Sequence, residues 1–200
     1  MTAEPADERR LFVALPLPDA LRDDVTALVE RVRARATEAA PEQREVRWVR
    51  LDGLHLTLRF LGPTDGSRLP ALAEAIRRAG AGGRPIPIRI TGAGAFPSMT
   101  RPRTLWLGVD DAAGSIASLA ETVERELVAA GSPPAGRPFR PHLTLARSDG
   151  VRAGASTASL LQAEAAAFDR SGTADRLVLF ESMTGHGRAR YEPLEVVPLG

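Results

Sequence analysis

The sequence predicts an α+β fold with largely antiparallel sheet. Strand-like runs come in pairs between helical segments, which favours antiparallel pairing over the β-α alternation of a parallel sheet. No glycine-rich loop leads from a strand into a helix, because Gly92-Ala93-Gly94 runs on into Ala95-Phe96-Pro97, which does not open one. The word His-Leu-Thr-Leu stands at 55–58 and again at 142–145 of a 200-residue chain, so an internal duplication with one copy per half is expected.

Taken in order, LFVAL within Arg10–Leu15 follows a polar lead and reads as the first strand. Pro18 and Asp19 offer a helix start. Leu21, Val25, Leu28, Val29 and Val32 then recur at helical spacing, until the polar, alanine-rich stretch 35–44 turns the chain back. Val46–Val49 and Leu54–Leu61 read as two strands separated by the tight-turn dipeptide Asp52-Gly53. A second helix fits Ser67–Ala79, stopped by Gly80. Pro85–Thr91 alternates, with Ile86, Ile88 and Ile90 on one face, and Thr104–Val109 is a further strand. A third helix fits Ala113–Ala130, closed by Gly131 and Pro133-Pro134. Strands follow at His142–Ala146, Leu177–Glu181 and Glu195–Leu199, and Ala153–Ala167 is compatible with helix or loop.

Composition narrows the chemistry. With 44% hydrophobic and 26% charged residues the chain is globular, long enough for one large domain or two small lobes. There is no cysteine, which excludes disulfides, thiolate nucleophiles and Cys-bearing metal sites. All 26 basic residues are arginine, so Schiff-base chemistry and a lysine-dependent phosphate loop are excluded as well. A net charge of +1 gives no global attraction to nucleic acid or membrane, so anion binding must be local. No apolar run approaches the ~18 residues of a membrane span. MTAEPADERR lacks the basic-then-apolar order of a signal peptide, and a cytoplasmic protein is expected.

The repeated word is the sharpest signal. Given the 24 leucines and 13 threonines in the chain, a histidine precedes Leu-Thr-Leu by chance roughly once in a thousand, yet two of the three histidines do so. On a strand, alternate residues share a face, which groups His55, Thr57 and Arg59 on one side and Leu54, Leu56, Leu58 and Phe60 on the other. His142 and Thr144 group in the same way. A histidine and a threonine two positions apart lie about 6.6 Å from each other and reach oxygens of one phosphate. Two such pairs, from two sheets, clamp it. A pair of histidines suits acid–base catalysis, in which a neutral imidazole takes a proton and an imidazolium gives one, while the threonine hydroxyls stabilise developing charge. No metal or cofactor is expected. Three histidines without metal-ligand spacing make an unconvincing metal site, and no Gly-x-Ser-x-Gly elbow supports a serine nucleophile.

These words and their flanks resemble the paired signatures of the 2H phosphoesterases, and more closely the RNA 2′,3′-cyclic phosphodiesterases of the LigT-like, or 2′-5′ RNA ligase, family. RLFVALPLPDALRDDV at 10–25 resembles the family's opening strand and helix. VRWVRLDGLHLTLRFLG at 46–62 and RPFRPHLTLAR at 137–147 match its two signatures. GAFPSMTRPRTLWLGV at 94–109 is similar to its central strands, and LFESMTGHGRARYEPLEVVPL at 179–199 to its closing hairpin. The resemblance implies one bilobal domain over 1–200, with two similar lobes related by a pseudo-two-fold, each an antiparallel sheet with helices outside, facing a cleft. It implies opening of RNA 2′,3′-cyclic phosphate ends to 2′-phosphomonoesters, with joining or cleavage of 2′-5′ linkages by some members. Carried over by position, His55 is the proton donor, His142 the proton acceptor, and Thr57 and Thr144 hold the phosphate.

Arg59 and Arg147 are candidate substrate-binding residues. Arg147 is out of phase with His142 and needs a bulge or strand end to enter the cleft. Arg140 and Arg103 are weaker candidates for RNA phosphates, and Phe12, Trp48 and Phe139 for stacking on a base. His186, in Gly-His-Gly, reads as a loop residue. The expected partner is an RNA end or a related nucleotide, with no membrane, and the protein is expected to be a monomer. Two other readings stand beside this one: a phosphodiesterase for a small cyclic or 2′-5′-linked nucleotide, and a non-catalytic RNA-binding module. Two intact His–Thr pairs argue against the latter.

Overall fold

Leu11, Val13 and Leu15 alternate along the first strand and are fully buried, while Phe12 and Ala14 face the other way. In the computed structural model, which describes residues 7–39, 46–148, 151–183 and 189–200, nine strands and four helices follow in sequence. They are β1 (Glu8–Pro16), α1 (Asp19–Ala39), β2 (Val46–Trp48), β3 (His55–Asp65), α2 (Leu69–Gly80), β4 (Ile86–Phe96), β5 (Thr104–Asp110), α3 (Ser115–Ala129), β6 (His142–Ser148), α4 (Val151–Ala165), β7 (Asp169–Ala174), β8 (Arg176–Met183) and β9 (Arg190–Pro198).

All pairings are antiparallel, in two sheets of order β3-β1-β8-β9 and β2-β6-β5-β4-β7. The α+β expectation holds. The two orders correspond strand by strand, with β3 matching β6, β1 matching β5, β8 matching β4 and β9 matching β7. Each sheet is covered on one face by two helices. Helices α2 and α3 pack on the first sheet, α1 and α4 on the second. Helix α1 leaves a strand of one sheet to cover the other, and α3 does the reverse. The lobes are therefore not the two halves of the chain. The first sheet takes β1 and β3 from the start and β8 and β9 from the end, and the exchanged helices join both lobes in one continuous apolar cluster. Leu56 and Leu143, one from each copy of the repeated word, are fully buried in it. Burial on that scale stabilises by roughly 1.5–3 kcal/mol per leucine.

Four expectations change. Asp52-Gly53 does not turn a hairpin: Leu51–Gly53 is a single 3₁₀ turn at which the chain passes from β2 in the second sheet to β3 in the first. Strand β4 continues to Phe96 because Gly92, at φ +63°, absorbs a bulge between Thr91 and Ala93. Strand β7, DRSGTA, is an edge strand and needs almost no apolar content, so no apolar run announces it. Strand β9 starts at Arg190 rather than Glu195, and its Pro193 is tolerated at the register shift of an edge strand. Residues 151–165, overlapping the stretch 153–167 compatible with helix or loop, form α4. Among the described residues no helix is long and apolar enough to cross a membrane.

Candidate active site

Both copies of the repeated word open a strand, β3 and β6, and these strands lie beside each other where the lobes meet. Their first leucines enter the core, while His55 and Thr57, and His142 and Thr144, remain half-buried on the opposite faces. The histidines are held alike. His55 Nδ1 lies 2.7 Å from the Gly53 carbonyl oxygen, and His142 Nδ1 lies 2.7 Å from the Arg140 carbonyl oxygen. A carbonyl only accepts, so Nδ1–H is the donor in both rings, and Nε2 is left to take or give the chemical proton.

The surroundings are aromatic. Phe12 stacks on His55 at 4.8 Å between ring centroids, Tyr191 meets it edge-on at 4.9 Å, and Phe180 lies at 6.0 Å. His142 has Phe96 edge-on at 5.1 Å and Trp106 at 6.4 Å. Trp106 has room because Gly94 faces it across the strand pair; a Cβ there would overlap the indole. Burial among these rings pushes the His55 imidazole below its ordinary value of 6.5, against a smaller opposing effect of the Gly53 carbonyl. The neutral ring is favoured on folding, so the unfolded chain binds more protons below pH 6.5, and stability drains as the pH falls from there. Thermal unfolding should therefore give a lower Tm at pH 5 than at pH 7.5. His55→Gln should reduce that difference, whereas an identical slope in the variant would contradict a buried neutral His55.

The two arginine candidates part company, for a reason the alternation rule misses. In both copies the second leucine of the word is a bulge. Opposite Ala14 and Val13, β3 presents Thr57 and then Arg59, skipping Leu58; opposite Trp106 and Leu105, β6 presents Thr144 and then Ala146, skipping Leu145. Beyond the bulge the phase inverts. Arg147 returns to the His142 face, where Nη1 donates to the Thr104 hydroxyl at 2.8 Å. Its charge is felt by the Tyr191 phenol, which burial raises above its ordinary value and Arg147 partly lowers. Arg59, expected on the His55 face, is turned away from it toward α3. There Nε donates to Glu124 at 2.5 Å, Nη1 to the Phe60 carbonyl at 2.7 Å and Nη2 to the Pro133 carbonyl at 2.6 Å.

The aromatics also redistribute. Phe12 is on the cleft face but buried against His55. Trp48 packs on the helix side under Arg33 of α1, and Phe139 packs on the core. Phe180, Tyr191, Phe96 and Trp106, which no repeated word marks, make the histidine surroundings. Arg103 and Arg140 are exposed, and His186 lies outside the described residues. At the His55 end an open cavity of about 300 Å³ is lined by Arg50, Asp52, Gly53, Arg190 and Tyr191. Arg50 is paired with Asp52, whose carboxyl it holds below the usual range. Among the described residues no three His, Asp or Glu side chains are grouped to hold a metal ion.

Comparison with known proteins agrees with this architecture. The family model of the 2′-5′ RNA ligase superfamily matches residues 12–185. A protein of Escherichia coli K12 named RNA 2′,3′-cyclic phosphodiesterase is 31% identical over 193 residues, covering 95% of this chain and 96% of its own. One of the same name from Methanothermobacter thermautotrophicus is 32% identical over 143 residues, 72% of this chain and 73% of its own. Among solved structures, a protein of Thermus thermophilus superposes with a TM-score of 0.71 at 28% identity, covering 95% of this chain and 97% of that one. The E. coli LigT structure complexed with 3′-AMP gives 0.69 at 28% identity, covering 96% and 99%. With its profile matched across most of its length and its two-lobed fold shared with LigT, the chain belongs to the 2′-5′ RNA ligase superfamily.

Proposed function

We propose that this protein hydrolyses the 2′,3′-cyclic phosphate at an RNA end to a 2′-phosphomonoester, using His55 and His142 as acid and base and no metal. The observation that carries the reading is the matched pair of imidazoles at the lobe junction, each with Nδ1 tied to the carbonyl two residues upstream and Nε2 left for chemistry. The names of the E. coli and Methanothermobacter relatives supply the substrate class.

In this reading a water attacks phosphorus in line with the 3′-oxygen. His142 Nε2 accepts the water's proton, the P–O3′ bond breaks, and His55 Nε2 protonates the departing oxygen. The two rings finish with exchanged protonation and reset through solvent. Thr57 and Thr144 donate hydroxyl hydrogens to the non-bridging oxygens, and Arg147 adds a charged donor where negative charge grows. Burial favours the neutral form of His55 in the free protein; the bound anionic phosphate supplies a countercharge that favours its imidazolium as substrate binds. With an RNA 5′-hydroxyl in place of water, the same displacement makes a 2′-5′ linkage.

The test is incubation of an RNA ending in 2′,3′-cyclic phosphate with the protein in excess EDTA, followed by identification of the product isomer. A 2′-phosphate is expected, at a rate that chelation does not reduce. A 3′-phosphate product would overturn the direction of bond cleavage, and no turnover would overturn the reading.

A further inference from the structure

The open cavity at the His55 end takes no part in the two-histidine chemistry, although two of its walls are shared with that histidine. Gly53, whose carbonyl oxygen accepts the Nδ1–H of His55, forms one wall. Tyr191, which meets the imidazole edge-on at 4.9 Å, forms another. A Cβ on Gly53 would come within 3.1 Å of the Tyr191 ring, so the missing side chain is what lets these two walls close on each other. The remaining walls are Arg50, Asp52 and Arg190. Arg50 Nε donates to Asp52 Oδ1 at 3.1 Å, and those two charges offset each other. Arg190, exposed at the start of β9, makes no ion pair or side-chain hydrogen bond among the described residues. The cavity is therefore net positive by one uncompensated guanidinium, whose donor fork is uncommitted.

We propose that Arg190, in the cavity it shares with Arg50, binds the phosphodiester on the 5′ side of the nucleotide that carries the cyclic phosphate. This rests on the reading of His55 as the acid that protonates the departing 3′-oxygen. The covalent order of a ribose then fixes the direction of the chain. The 3′-oxygen stands beside C4′, which carries C5′ and the 5′-phosphate, whereas the 2′-oxygen stands beside C1′ and the base. A ribose whose 3′-oxygen meets His55 accordingly sends its 5′-phosphate toward the His55 end, where the cavity lies. A guanidinium fork matches the paired oxygens of a phosphodiester, and the open mouth of the cavity lets the chain continue upstream. Asp52, by neutralising Arg50, keeps the site at a single net positive charge, which suits the single negative charge of a diester. The class of substrate is a nucleotide bearing phosphate at its 5′ side, the end of an RNA chain rather than a free nucleoside cyclic phosphate.

The experiment compares adenosine 2′,3′-cyclic phosphate with a free 5′-hydroxyl, the same nucleotide with a 5′-phosphate, and the dinucleotide ApA ending in 2′,3′-cyclic phosphate. The wild-type protein should favour the second and the third over the first in kcat/KM by about 10-fold or more, the size of a hydrogen bond to a charged group. Arg190→Gln should bring both preferences close to one. Arg84→Gln, at an exposed arginine between α2 and β4, should leave them as they are. A preference that survives Arg190→Gln, or that falls equally in Arg84→Gln, overturns the proposal. So does a wild-type protein that treats all three alike, or that favours the dinucleotide alone, since the upstream nucleoside would then be what is held. Favouring the 5′-phosphorylated mononucleotide alone overturns the assignment to an RNA chain. A second readout is independent of turnover. By calorimetry, adenosine 2′,5′-bisphosphate should bind the wild-type protein about 10-fold tighter than adenosine 2′-phosphate, and Arg190→Gln no tighter; an equal ratio in both proteins overturns the subsite. If none of the cyclic phosphates is hydrolysed, the proposed reaction fails, while the calorimetry still decides whether Arg190 holds the 5′-phosphate.

Discussion

Replacing His55 or His142 with alanine is expected to lower turnover of an RNA 2′,3′-cyclic phosphate by roughly 10²–10⁴-fold, the usual size of a general acid or base contribution. The two losses should be similar, because each ring handles a different proton of one displacement, and the double variant should fall well short of their product. His186→Ala, which removes the one histidine outside both words, serves as the control and should retain wild-type turnover. Folding should survive the His142 change, whose ring sits at the rim of Phe96 and Trp106. His55→Ala opens space against Phe12 and Tyr191, so its stability must be measured beside its activity. His55→Gln, which keeps volume without the titrating ring, is the cleaner variant. An inactive His186 variant beside a fully active His142 variant would mean that the duplicated word is structural.

The second large effect is a dissociation between two arginines. Arg147→Ala removes a charged donor that faces the cleft, and a hydrogen bond to a charged group contributes about 1.5–3 kcal/mol. The kcat/KM of that variant should fall by about 10- to 150-fold with little change in Tm. Arg59→Ala should do the opposite. It leaves Glu124, 29% exposed at its side chain, without its partner, and leaves the Phe60 and Pro133 carbonyls without their donor. Leaving such part-buried groups unsatisfied costs about 1–3 kcal/mol, while kcat/KM per folded molecule should stay near the wild-type value. Urea unfolding and steady-state kinetics on the same preparations separate the two. If Arg59→Ala instead lost activity at wild-type stability, the phase inversion at Leu58 would be wrong.

That inversion marks the limit of what the amino-acid pattern discloses. Period-two alternation places Leu56 and Leu143 inside and the His–Thr pairs outside, and the structure agrees. The rule assumes an unbroken strand, however, and both copies bulge at their second leucine, so Arg59 and Phe60 exchange faces and Arg147 comes into register. A bulge at a leucine has no compositional mark; comparing HLTLRF with HLTLAR shows the repeat but not the kink. The word also shows two equivalent units without showing that they are interleaved, because the exchange of α1 and α3 between lobes depends on long-range packing. The aromatic surroundings of His55 are assembled from β1 near the start of the sequence and from β8 and β9 near its end. Edge strand β7 carries too little apolar surface to read as a strand at all.

The pH dependence of kcat/KM, measured in excess EDTA on an RNA ending in 2′,3′-cyclic phosphate, tests the two-histidine chemistry most directly. With one imidazole needed as acid and the other as base, log kcat/KM should rise and then fall, its apparent pKa values belonging to the coupled pair. Since burial lowers the His55 value in the free protein, one limb should lie below 6.5. In kcat, where the phosphate is bound and favours the imidazolium, that limb should move to higher pH. His55→Gln should abolish it in whatever activity remains. A rate that climbs without a maximum to pH 10, or that vanishes in EDTA and returns with a divalent ion, would contradict acid–base catalysis by His55 and His142.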